Sequence, residues 1–149
     1  MKQMLTLLLL SFLIASVAQA EELSDDSYCL AQNLYHEARG EHPSGVVAVG
    51  NVVLNRVQSK RFPNTICEVV KQGGQRRHKC QFSWYCDGRS DQTRDKASWQ
   101  EMVWISELLL SGRIADNTDG ALFYHTDGVD PYWNADMTPK MMLGVHIFY

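Results

Sequence analysis

The sequence predicts an α+β fold, a small and mostly helical domain with a short antiparallel sheet toward its C-terminal end. Apolar residues recur at helical spacing over residues 25–39, 45–58 and 95–111. Two short runs rich in aromatic and apolar residues, 121–124 and 145–149, look like strands. Residues 21–149 match one domain of about 100–150 residues, with no linker, repeat or low-complexity stretch.

The first 20 residues stand apart from that domain. Lys2 precedes a nearly uncharged apolar run from Met4 to Val17, and Ala18-Gln19-Ala20 follows. This is the pattern of a secretory signal peptide cleaved after Ala20. The run is shorter than the roughly 18 residues a spanning helix needs, so no stable membrane insertion is expected after cleavage. No cysteine follows the cleavage site to suggest a lipid anchor. An exported protein, periplasmic or extracellular, is the expectation.

In the domain, Tyr28, Leu30, Ala31, Leu34, Tyr35 and Ala38 share one side of a first helix over 25–39, and Gly40 stops it. A second helix over 45–58, capped by Ser44, is apolar over most of its circumference and belongs at the centre. Gly45 and Gly50 would admit neighbouring backbone. Thr65-Ile66-Cys67-Glu68 has capping-box spacing and starts a short third helix through about Lys71. From Gly73 to Arg94 the chain is polar and glycine-bearing, with Cys80–Trp84 resembling a short strand. A fourth helix over 95–111 turns Trp99, Met102, Val103, Leu109 and Leu110 inward and Trp104 outward, and Gly112 ends it.

Composition narrows the function. Without Lys2 the chain has 13 basic against 17 acidic residues, a net charge near −4, so no nucleic-acid footprint is expected. The cluster Arg76-Arg77-His78-Lys79 reads as a solvated loop that could touch an anionic polymer. Four cysteines in an exported chain favour disulfides, with three pairings open. Cys80–Cys86 would close a short loop and Cys29–Cys67 would tie the first helix to a later one, so these pairs are favoured. A free catalytic thiolate is the competing reading.

Reactive side chains are densest in Tyr35-His36-Glu37-Ala38-Arg39-Gly40-Glu41-His42. Zincin spacing would need a histidine at position 40, which is Gly40, and the inverse motif one at position 38, which is Ala38; no metal or cofactor is expected. Glu37 falls beside Leu30 at the border of the apolar helix face. Low local polarity there would raise its pKa and keep it protonated, able to donate to a leaving glycosidic oxygen. The plainer alternative is a surface glutamate paired with Arg39 or a helix end. Glu41 could be a second acid on the same helix side, or an acidic residue favoured by the dipole of the second helix. Trp84, Tyr85, Tyr124, Tyr132 and Trp133 lie in loop-like or strand-end sequence, where rings could cover sugar faces or pack in the core. His125 is equally open between a site and a structural role.

At these residues the chain resembles the SleB/CwlJ family of cell-wall hydrolases. The resemblance runs from Cys29 to about Trp133. Its most specific parts are Glu37-Ala38-Arg39-Gly40-Glu41, the run Val47 to Val57 and Phe62-Pro63-Asn64-Thr65, continued by Cys80–Trp84 and Phe123-Tyr124-His125. It implies a lysozyme-related fold, peptidoglycan glycan strands as partner and substrate, and lytic transglycosylation at N-acetylmuramic acid with Glu37 as the acid/base. Gln81, Ser83, Trp84, Tyr124 and His125 follow family motifs and, together with Trp133, are expected to bind substrate.

Many relatives carry a wall-binding domain ahead of the catalytic part. None is evident here, so the catalytic cleft is expected to hold substrate by itself. The four cysteines match an exported branch without a spore context. Two other functions compete: an N-acetylmuramoyl-L-alanine amidase, for which zinc or cysteine spacing is not evident, and a non-catalytic periplasmic binder of wall fragments.

Overall fold

The structure, a computed structural model, describes residues 23–149. The expected signal peptide, residues 1–20, lies outside the described residues. Four α-helices and a three-stranded antiparallel sheet make up the architecture. None of the described helices is long and apolar enough to cross a membrane.

Helix α1 (Asp25–Ala38) starts at Ser24, whose hydroxyl accepts from the Ser27 amide at 3.2 Å. Asp25 and Asp26 suit the positive end of the helix dipole. Leu30, Ala31, Leu34, Tyr35 and Ala38 are buried as their spacing predicts. Tyr28 is not: its ring leans edge-on against Trp99 and leaves nearly half its surface in water.

Helix α2 (Pro43–Gln58) begins two residues earlier than expected, and its cap is His42 rather than Ser44. His42 Nδ1 accepts from the Ser44 amide at 3.3 Å, while Pro43, lacking a donor, fits the first position. Val46, Ala48, Val49, Val52 and Val53 are buried, which puts α2 at the centre. At Gly50 the space a Cβ would fill is taken by Leu109 Cδ1, 2.5 Å away. The expected backbone approach at the two glycines is therefore a side-chain approach at Gly50, and at Gly45 only ordinary contact at 3.6 Å.

Helix α3 (Ile66–Val70) is capped by Thr65, which accepts from the Glu68 amide and donates to the Glu68 carboxylate at 2.8 Å. The expected strand at Cys80–Trp84 is absent; Ser83–Cys86 is a 3-10 turn instead. Helix α4 (Lys96–Leu110) is capped by Asp95, which accepts from the Ala97 and Ser98 amides. Met102, Ile105, Ser106 and Leu109 form its buried stripe. Leu110 lies one residue past that stripe and turns outward, contrary to expectation, while Trp104 is exposed as expected.

The strands are β1 (Tyr124–Thr126), β2 (Met141–Leu143) and β3 (His146–Phe148), ordered β1-β3-β2. The two expected runs contribute β1, displaced toward 126, and β3; β2 was not anticipated. Phe148 is central, opposite Tyr124 on one side and Met141 on the other. Gly144, at φ 61°, turns β2 into β3.

The core lies where α1 packs on α2, α3 and α4. Both favoured disulfides are present: Cys29–Cys67 joins α1 to α3, and Cys80–Cys86 closes the loop ahead of the 3-10 turn. Arg76, Arg77, His78 and Lys79 are exposed, as a solvated loop should be.

Candidate active site

Glu37 occupies the last turn of α1, on the border between core and solvent where its helical position predicts. Arg39 leaves the helix and Gly40, at φ 90°, carries the chain away. The Tyr124 hydroxyl, reaching over from β1, donates to Glu37 Oε2 at 2.9 Å. Glu37 Oε1 makes no hydrogen bond among the described residues. Together with Arg56, Gln81, Phe82, Ser83 and Tyr124, Glu37 lines a pocket of about 150 Å³.

The electrostatics follow from burial. Desolvation raises the Glu37 carboxyl above the ordinary range, and it outweighs the Tyr124 hydrogen bond and the Arg56 charge, which both act to lower it. Burial lowers Arg56 to about 10, against the raising influence of Tyr124 and Glu37. Tyr124 is pushed well above its usual value by burial and by the neighbouring carboxylate. Burial thus shifts Glu37 toward its neutral form relative to an exposed glutamate, while Tyr124 and Arg56 soften the cost of its ionised form.

The alternative pairing of Glu37 with Arg39 is not made. Arg39 lies over the Tyr35 ring, with Cζ 4.4 Å from the centroid. Glu41 is outside the pocket, its carboxylate against Gly144 at the β2–β3 turn. The two histidines flanking the cluster also diverge: His36 stacks on Trp84 at 4.4 Å, and His42 caps α2. Among the described residues no three His, Cys, Asp or Glu side chains gather as a metal site would need.

Of the expected substrate-binding residues, Gln81, Ser83 and Tyr124 do meet Glu37 in one pocket. Trp84 does not. It is buried, and its indole N–H donates to Asn33 Oδ1 at 3.1 Å, so it is part of the core. His125 also misses the pocket, because successive strand residues face opposite ways and Tyr124 takes the inward side. Its Nε2 lies 2.9 Å from the Tyr149 hydroxyl, and its ring meets Trp133 edge-on. Trp133 belongs to this second aromatic group, one ring removed from the pocket through Phe123 at 5.6 Å.

Sequence reasoning missed Arg56 and Phe82. Arg56 is only 2 % exposed, with Nε donating to the Leu122 carbonyl at 2.8 Å. The rings of Phe62, Phe82 and Phe123 surround its guanidinium at 5.1, 5.2 and 5.7 Å. The signal was there: an arginine in a helix otherwise apolar over most of its circumference. A larger groove of about 680 Å³, lined by Tyr28, Gln32, Asp91 and Arg94, lies on a different face of α1 from Glu37.

The site is thus a partly desolvated glutamate facing a polar pocket. The chain belongs to the Cell Wall Hydrolase family, whose model matches residues 40–149. That stretch includes Arg56, Gln81, Ser83 and Tyr124, and begins just after Glu37. More particularly, the fold is that of the SleB catalytic domains. The catalytic domain of the germination-specific lytic transglycosylase SleB from Bacillus anthracis superposes with a TM-score of 0.65 at 30% identity, covering 87% of this chain and 98% of that one. The Bacillus cereus SleB catalytic domain gives 0.63 at 28% identity, over 86% and 92%. A spore cortex-lytic enzyme of Halalkalibacterium halodurans is 30% identical over 125 residues, 83% of this chain. The chain spans about a third of that relative's length, 34%.

Proposed function

We propose that this protein cleaves peptidoglycan glycan strands at N-acetylmuramic acid by lytic transglycosylation, with Glu37 as the acid/base. The observation that carries the reading is Glu37 itself, its carboxyl raised by burial and held by Tyr124 at 2.9 Å in a pocket lined with hydrogen-bonding groups. Family membership and the SleB fold supply the substrate class.

The protonated Glu37 donates to the glycosidic oxygen as its bond to the muramic acid anomeric carbon breaks. The resulting carboxylate, still bonded to Tyr124, then takes the proton of the same sugar's 6-hydroxyl. That oxygen closes on the anomeric carbon, and a 1,6-anhydro end results. Glu37 finishes protonated and no water is consumed, so one carboxyl suffices. Gln81 and Ser83, both exposed at the pocket rim, supply hydrogen bonds that position the glycan. Residues 1–20 direct export, and the wall is met outside the inner membrane.

Mass spectrometry of products released from purified sacculi tests this. Anhydro-muramic ends that vanish with Glu37→Gln are expected. Reducing muramic ends would mean water is the acceptor, free stem peptides would mean an amidase, and binding without products would mean a wall-fragment binder.

A further inference from the structure

We propose that Arg56 is the positioning residue of this site, its buried guanidinium fixing the strand that presents Tyr124 and holding charge opposite Glu37 while that carboxyl is ionised. The inference rests on the acid/base reading of Glu37. Arg56 enters from α2, at a pocket whose other walls come from α1, from residues 81–83 and from Tyr124 at the start of β1. It reaches the supports of the last two of these. Its Nε holds the Leu122 carbonyl, two residues before Tyr124, and its guanidinium lies against Phe82, between Gln81 and Ser83.

A side chain needed only for packing would not be a cation here. Burying a charge costs several kcal/mol unless it is compensated, and Arg56 has one hydrogen bond, three aromatic rings and no close carboxylate. Its Nη1 is buried with no partner among the described residues. Glu37 lines the same pocket, and the Arg56 charge favours its carboxylate whenever that carboxyl ionises. Only 2 % exposed, Arg56 offers the pocket little surface and acts chiefly through its neighbours. Around Glu37 the other titratable groups are Tyr124 of β1 and, behind the Tyr124 ring, His146 of β3, toward which Glu41 and Asp127 direct their charge.

The test compares Arg56→Lys and Arg56→Gln with the native protein for anhydro-product formation against pH. Arg56→Gln removes the charge that favours ionised Glu37, so the alkaline limb of the rate profile should move to higher pH while kcat falls at least 10-fold. Arg56→Lys keeps the charge and should keep the limb in place, with a lower kcat and little change in KM. A limb that stays put in Arg56→Gln, or a kcat that stays native in Arg56→Lys, overturns the proposal. Should neither variant fold, NMR of the native protein decides. The Arg56 Nε and Cζ shifts should follow Glu37 ionisation and lie flat in Glu37→Gln; flat shifts in both would overturn the coupling. Failure of the transglycosylase reading looks different: no anhydro ends would form, yet the Arg56 shifts would still track Glu37.

Discussion

At the scale of single residues, the site is a carboxyl that burial raises and one hydroxyl steadies. Glu37→Gln keeps the shape but can neither give nor retake a proton, so glycan cleavage should fall about 10²–10⁴-fold or more with an unchanged circular dichroism spectrum. Glu41→Gln should be much milder, since Glu41 lies outside the pocket. Tyr124→Phe removes the hydrogen bond that favours the carboxylate. The Glu37 carboxyl should then rise further, moving the alkaline limb of activity upward as the rate falls. Stability follows the same sign. A carboxyl raised above its unfolded value contributes stability fully present below the ordinary carboxylate range and lost as pH rises through the folded value. Glu37→Gln should therefore gain stability relative to the native protein as pH increases, which thermal melts across pH would reveal; a constant difference would contradict the burial argument. Glu37 was legible because helical spacing alone puts it on the apolar border. Arg56 offered one signal, its place in an otherwise apolar helix, but the rings that shelter it come from positions 62, 82 and 123, which no local pattern joins.

At the scale of elements, helices were legible and their neighbours less so. Periodicity located α1, α2 and α4 to within about two residues, since one face of each meets the same core. The strand expected at Cys80–Trp84 conflicts with the disulfide expected beside it. Five extended residues carry the chain about 13 Å, and two more could not bring Cys86 back to Cys80, whose Cα atoms lie 6.0 Å apart. The covalent closure wins, and the segment coils. Strand β2 escaped notice because Met141-Met142-Leu143 is too short to show alternation and is specified by its partner β3. Closeness between α2 and α4 gives a test at this scale. Gly50→Ala would place a methyl group 2.5 Å from Leu109 Cδ1, deep in the core. The loss should be about 1–3 kcal/mol in urea unfolding, and Gly50→Ala combined with Leu109→Ala should cost less than the sum of the two single changes.

At the scale of the whole molecule, the two disulfides divide stability from function. Cys29–Cys67 spans 38 residues and joins two core helices, so Cys29→Ser should cost about 2–5 kcal/mol while the folded fraction keeps its activity. Cys80–Cys86 spans 6 residues around Gln81 and Ser83, and its loss should weaken cleavage more than it weakens the fold. Non-reducing peptide mapping, with melts and product assays on each variant, would expose any other division. The middle strand of the sheet carries a different implication. Tyr124 faces Glu37 from a strand held beside β3, and the carbonyl of Tyr149 accepts from the amides of Leu122 and Phe123. Both contacts come from residues 146–149, more than a hundred positions after Glu37. Without β3 in place the four helices could still pack on one another, but Glu37 would lack the Tyr124 hydroxyl. The order of the site thus differs from the order of the chain: the hydroxyl that partners a carboxyl in α1 is held in place by a strand far downstream of it.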